Sequence, residues 1–146
     1  MPTPQRIKGQ EVVINIVSDG VLEDTLNSIS EFNDEDMLEI KQLGYLGEVS
    51  NRGDSIYNGT KFDLSLHLQS QEWFRFKQKV IAKAQRTLPD LVFNVTVTYF
   101  FPNGDTPTVT YADVSWGPIP KNVASRGDYV KAKMEGFVSS VDENLV

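Results

Sequence analysis

Phe62-Asp63-Leu64-Ser65-Leu66-His67-Leu68-Gln69 alternates without a break, with Phe62, Leu64, Leu66 and Leu68 on one parity and polar residues on the other. Successive side chains of a β-strand point to opposite faces, so this stretch is a strand with one face in a core and the other in water. Directly after it the period changes. Ser70 can accept an orphan N–H at a helix start, and Glu72 sits where a negative charge suits the helix dipole. A helix is predicted from Gln71 to about Leu88. Trp73, Phe76, Val80, Ala84 and Ile81 make its buried face, Arg75, Lys79, Lys83 and Arg86 a basic stripe opposite, and Pro89 its stop.

Outward from this pair the chain reads as β-structure. Glu11 to Ser18 is rich in β-branched residues and makes a first strand, closed by an Asp19-Gly20 turn. Thr25 to Phe32 and Asp34 to Gly47 read as two further strands, the second leading into a long inter-strand loop over about 43–60. Downstream, Val92 to Phe101 and Thr108 to Trp116 flank Pro102-Asn103-Gly104-Asp105, the signature of a hairpin. Gly117-Pro118-Ile119-Pro120 breaks the sheet, and Tyr129 to Ser139 gives a last strand with Val130, Ala132, Met134 and Val138 on one parity. Pro2 and Pro4 make residues 1–10 a flexible or extended N-terminal arm. The fold class is therefore mainly β with one flanking α-helix in a single domain over 1–146, and sandwich and barrel both remain open.

Composition narrows the function. The 146 residues are 40% apolar and 10% aromatic, ordinary for a globular domain with a core. There are no cysteines, which removes disulfides, thiolate zinc sites and cysteine nucleophiles. No apolar leader segment and no long apolar run is legible, so the expectation is a protein made in the cytoplasm with no membrane partner. A formal net charge of −6 repels phosphate backbones unless the cations gather in one patch. The helix stripe is the candidate patch, but it lacks interleaved aromatics for stacking; it reads as a solvated face or one that meets acids of a neighbouring subunit.

Candidate chemistry is sparse. His67 is the single histidine and lies opposite the leucine face, which gives it no catalytic role. Glu31, Asp34, Glu35, Asp36 and Glu39 are dense, but Met37 and Leu38 stand where a calcium loop needs a ligand and a glycine, so they read as a solvated acidic face. Asn58-Gly59-Thr60 and Asn94-Val95-Thr96 match glycosylation acceptors that a cytoplasmic chain does not use. No catalytic residue, metal site or cofactor is expected.

The segment Leu43-Gly44-Tyr45-Leu46-Gly47-Glu48 has apolar side chains and no evident means of burying them, so a second copy of the chain is the expected cover. Arg52 and Asp54 follow it, and Arg126 and Asp128 repeat the Arg-Gly-Asp spacing. These four residues read as charge pairs at a subunit boundary, turned by Gly53 and Gly127. Alternatively, Trp116, Tyr99 and Tyr111 would form an aromatic face of a monomeric ligand-binding sandwich.

With these residues in view, the chain resembles the tail tube proteins of contractile-tailed bacteriophages, which are similar to type VI secretion and tailocin tubes. The likeness runs through Arg6 to Val12, Glu39 to Glu48, Asn51-Arg52, Asp54, Gly59 and the strand from Phe62 to Leu68. It continues through the single helix, Phe100 to Gly104, and Ser125-Arg126 to Tyr129-Val130. It implies hexameric rings stacked into a tube in the virion tail, with sheath, baseplate or initiator and terminator proteins as partners and DNA passing the lumen without specific binding. It also implies that Leu43 to Asp54 and the Pro2 to Gly9 arm reach adjacent rings.

Overall fold

A computed structural model describes residues 6–23 and 28–145. After a short 3-10 turn at Gly9–Glu11 the elements are β1 (Val12–Ser18), β2 (Val21–Leu22), β3 (Ile29–Leu43), β4 (Arg52–His67), α1 (Glu72–Ala84), β5 (Phe93–Tyr99), β6 (Thr108–Tyr111), β7 (Ser115–Trp116), β8 (Lys121–Asn122), β9 (Lys131–Val138) and β10 (Val141–Asn144). One sheet has the order β10-β6-β5-β1-β2 and the other β3-β4-β9-β7, with β8 also paired to β9. The pairings are antiparallel, and the two sheets face each other as a sandwich.

The core follows from parity. Ile16, Val95 and Tyr111 lie side by side across β1, β5 and β6, while Leu64 and Leu66 lie against Met134 and Ala132 across β4 and β9. All of these are buried. Trp73, Phe76 and Val80 of α1 join them. Trp116 is held edge-on by Phe62, Phe76 and Phe93 at 5.7, 5.7 and 6.4 Å between centroids. Ring edges meeting ring faces suits the aromatic quadrupole.

Several boundaries differ from the sequence reading. The strands expected over 25–32 and 34–47 are one strand, β3; residues 24–27 lie outside the described part. The loop expected over about 43–60 is only 44–51, because β4 already begins at Arg52 and pairs with β3. Of the expected N-terminal arm, residues 1–5 lie outside the described part and Gly9–Glu11 is the 3-10 turn.

The run from Thr108 to Trp116 is two strands in different sheets: at Asp113 the backbone turns to φ +51, and Val114 donates its N–H to Phe93 as the chain crosses. Helix α1 stops short of Pro89. Arg86 adopts φ +64, its N–H bonds to Lys83 O, and Thr87 N–H bonds to Ala82 O, a Schellman closure. Ser70 does cap the start, its Oγ accepting the Glu72 N–H at 3.3 Å. Ile81 and Ala84 fall outside the buried face.

A candidate assembly surface

Strand β4 has two halves. From Thr60 to His67 it lies between β3 and β9; from Arg52 to Tyr57 it pairs with β3 alone. The second half and its partner Leu38–Leu43 form a two-stranded arm beyond the sandwich. At roughly 3.3 Å per residue, six residue pairs reach about 20 Å. Directly opposed residues share a face, so Leu38 with Tyr57 and Ile40 with Ser55 lie on one side, and Lys41 with Asp54 and Leu43 with Arg52 on the other. Leu38 and Ile40 keep the parity of Phe32, Asp34 and Asp36, which is the core-facing parity of β3. The inner face of the sheet therefore continues along the arm, and among the described residues no second layer lies opposite it. Leu38 is 64% exposed and Ile40 69%.

At the tip, Leu43 is 46% and Tyr45 48% exposed, while Leu46 and Val49 are fully exposed. Glu48 donates its N–H to Tyr45 O at 3.3 Å, and Gly44 and Gly47 shape the turn, Gly47 at φ +85. Arg52 forms an ion pair with Glu48, and its guanidinium lies 4.7 Å over the Tyr45 ring. The tip is thus tied by its own charges while its apolar side chains stay outside. Leu43, Gly44, Tyr45, Leu46, Gly47, Glu48, Arg52 and Asp54 come together here. Arg126 and Asp128 do not.

Those two residues stand in the 123–130 loop, where Asp128 Oδ2 accepts the Ser125 hydroxyl at 2.8 Å and Tyr129 stacks on His67 at 5.2 Å. His67 ends the strand that Arg52 begins, and a 16-residue strand spans roughly 50 Å. The two sets occupy opposite ends of one sheet. Both ends carry exposed apolar residues, since Val123 and Tyr129 are more open than Leu43 and Tyr45, though less so than Leu46 and Val49.

No protein-family model matches the chain, and no curated protein sequence matches it. Solved structures do. A chain of the 6-fold symmetrised anti-feeding prophage baseplate has a TM-score of 0.66 at 15% identity, over 100% of this chain and 99% of that one. A chain of the PVC extracellular contractile injection system, from its sheath/tube terminator in the extended state, gives 0.66 at 8% identity over 98% and 99%. The SPP1 tail tube gives 0.57 at 12% identity over 97% and 80%. The chain has the tail-tube fold.

Within this tail-tube fold the other candidate groups are used locally. The acidic run is not one face: Asp34 accepts the Tyr111 hydroxyl at 2.7 Å and Asp36 the Thr60 hydroxyl at 2.7 Å on the inner side, while Glu35 pairs with Lys61 at 3.3 Å. Burial, and then the bond to Asp34, pushes the Tyr111 phenol well above its ordinary range. The basic stripe finds acids in its own chain, Arg75 with Glu72, Lys79 with Glu23 and Lys83 with Asp113. The aromatic-face alternative fails because Tyr111 is buried, Trp116 is packed among core rings and Tyr99 is half-covered. Among the described residues no three His, Asp or Glu side chains gather as a metal site.

The arm strip of Leu38, Ile40 and Tyr57 was missed by the sequence reading. Its signal was present as parity on β3, but Gly53, Asn58 and Gly59 made β4 look like loop.

Proposed function

We propose that this chain is a non-enzymatic tube subunit that assembles into hexameric rings, and that the rings stack into the tail tube of a contractile virion as a conduit for DNA ejection. The observation that carries the reading is the pair of opposite ends on β4, each with exposed apolar side chains, in a chain with the tail-tube fold. A head-to-tail contact between unlike ends propagates along an axis, whereas like-to-like contact stops at a dimer. Leu43 to Glu48, Arg52 and Asp54 form one side of this inter-ring contact, and Arg126 and Asp128 belong to the other.

Ring closure has its own resource in the edge of β3, which is free among the described residues; its 15 residues end the second sheet and can take a neighbouring strand. Every copy carries −6, so contacts must bury uncharged surface to overcome repulsion. The expected partners are sheath, baseplate or initiator, and terminator proteins. That reading draws on the baseplate and sheath/tube terminator assemblies that supply two similar chains.

Those same two structures favour a second reading, the tube of an injection device or tailocin whose cargo is not a genome. Particles purified with their contents distinguish the two, since only a DNA conduit carries nucleic acid through the lumen.

Electron microscopy of concentrated protein with its initiator is the direct test. Rings and tubes are expected; a strictly monomeric chain overturns the proposal. Replacing Tyr45 and Leu46 by Asp should leave subunits folded, with tube length cut by about tenfold or more, because buried unpaired charge costs several kcal/mol. Unchanged tube length removes the tip from the inter-ring contact.

A further inference from the structure

The arm leaves the sandwich at a defined point. Strand β4 pairs with β9 from Thr60 onward, and immediately before Thr60 the β3–β4 register slips: Asp36 opposes Thr60, but Leu38 opposes Tyr57. Strand β4 therefore carries one extra residue at Asn58-Gly59, a β-bulge, and a bulge bends its strand and increases the local twist. Gly59 has φ +102, a conformation costly for any residue with a side chain. A Cβ there would stand 2.5 Å from the Phe137 ring and 2.9 Å from the Val138 carbonyl. The bend is pressed against β9 as closely as a glycine permits.

Hydrogen bonds hold the same point from the inner side. The Tyr57 hydroxyl lies 2.5 Å from Thr60 Oγ1, which donates to Asp36 Oδ1 at 2.7 Å, so the chain of bonds crosses from the first residue of the arm to the last of the sandwich and back to β3. Thr60 is fully buried. Asn58 Nδ2 adds a bond to Glu39 Oε2 at 3.3 Å across the arm. A glycine bulge and a buried hydroxyl relay at one junction fix a direction.

We propose that Gly59, Phe137 and the Tyr57–Thr60–Asp36 relay are positioning residues that aim the β3–β4 arm, so that its uncharged strip of Leu38, Ile40 and Tyr57 meets a second copy of this chain. The inference rests on the tube reading above. A second copy is the occupant because the strip continues the inner face of a sandwich, and each copy both presents such an arm and offers β-layers to cover one. The strip also lacks charge. Two copies at −6 each can approach there without burying unpaired ions. A stable contact buries about 800 Å² per partner, more than the few side chains of strip and tip supply. The β3 edge beside the strip makes up the difference, and only a correctly aimed arm engages strip and edge together.

The chain has no cysteine, so labels at Val49→Cys and Thr87→Cys report the distance from arm tip to body without interference. Spin-label distance distributions are measured on the labelled chains and tube yield with initiator on the unlabelled ones, in each case for the full chain, Gly59→Ala, the same variant with Phe137→Ala, and Tyr57→Phe. Gly59→Ala should displace the distance and lower tube yield by at least about tenfold, since misaimed contacts lose preorganisation. Adding Phe137→Ala removes the ring in the way and should restore part of both. Tyr57→Phe keeps the apolar strip and the fold but breaks the relay, so the distribution should broaden.

Unchanged distances in Gly59→Ala and Tyr57→Phe overturn the aiming role. A displaced arm with full tube yield overturns its link to assembly while leaving the tube reading intact. A parent chain that forms neither rings nor tubes overturns both.

Discussion

The two halves of β4 share one partner in β3, yet Phe62, Leu64 and Leu66 are buried while Tyr57, on the same face, is open. What separates them is cover: β9, the opposite sheet and α1 for one half, and none from the described residues for the other. Hydrogen bonding to one neighbour shapes a strand but removes little side-chain surface from water; the second layer supplies most of the hydrophobic stabilisation.

The comparison breaks most visibly with truncations on either side of the bulge. Leu64→Ala should destabilise the subunit by about 2–5 kcal/mol in chemical denaturation, the cost of lost burial and a cavity. Ile40→Ala, at 69% exposure, should cost the isolated subunit only about 0.5 kcal/mol or less. Equal losses would mean that the arm is covered within its own chain.

Tyr111 sharpens the contrast from the covered side, because its hydroxyl leaves the core to reach Asp34. Tyr111→Phe should cost about 0.5–1.5 kcal/mol at neutral pH through the lost hydrogen bond. The folded-state phenol ionises above its ordinary value of 10.0, so its contribution is fully present below that pH and is lost as pH rises beyond it. Denaturation midpoints followed from pH 8 to 11 should therefore fall less steeply in Tyr111→Phe than in the parent.

The smallest effect tests the helix that covers the buried half. Arg86 occupies a left-handed position, and Arg86→Gly should stabilise the subunit by about 0.5–1 kcal/mol, seen as a raised Tm with tube yield unchanged. A lowered Tm would show that the Arg86 side chain contributes more than its backbone strain costs.

Legibility in the sequence followed signal strength. The Phe62 to Leu68 alternation and the α1 periodicity were plain because each had one face in a core. Strand β10 gave little signal, since Asp142, Glu143 and Asn144 are poor strand formers held by pairing to β6. The Thr108–Trp116 run hid a crossing between sheets, because a turn at Asp113 without Gly or Pro leaves β-propensity on both sides intact. At the candidate site the exposed tip was legible as apolar residues among glycines. The strip behind it was not, because exposure depends on which surfaces arrive opposite.

By itself the sequence determined that this chain is mainly β with one helix, that it has no cysteine chemistry, and that apolar residues around Leu43 to Leu46 lack local shelter; these follow from residue type and period, which act over a few neighbours. Tertiary structure alone decided that Arg52 to Tyr57 is strand rather than loop, that Arg126 and Asp128 stand at the far end from the tip, and that Gly59 sits too close to Phe137 for a Cβ to fit without a shift. Register, the distance between strand ends and the approach of Phe137 arise from pairings between residues far apart in sequence, and no local pattern carries them.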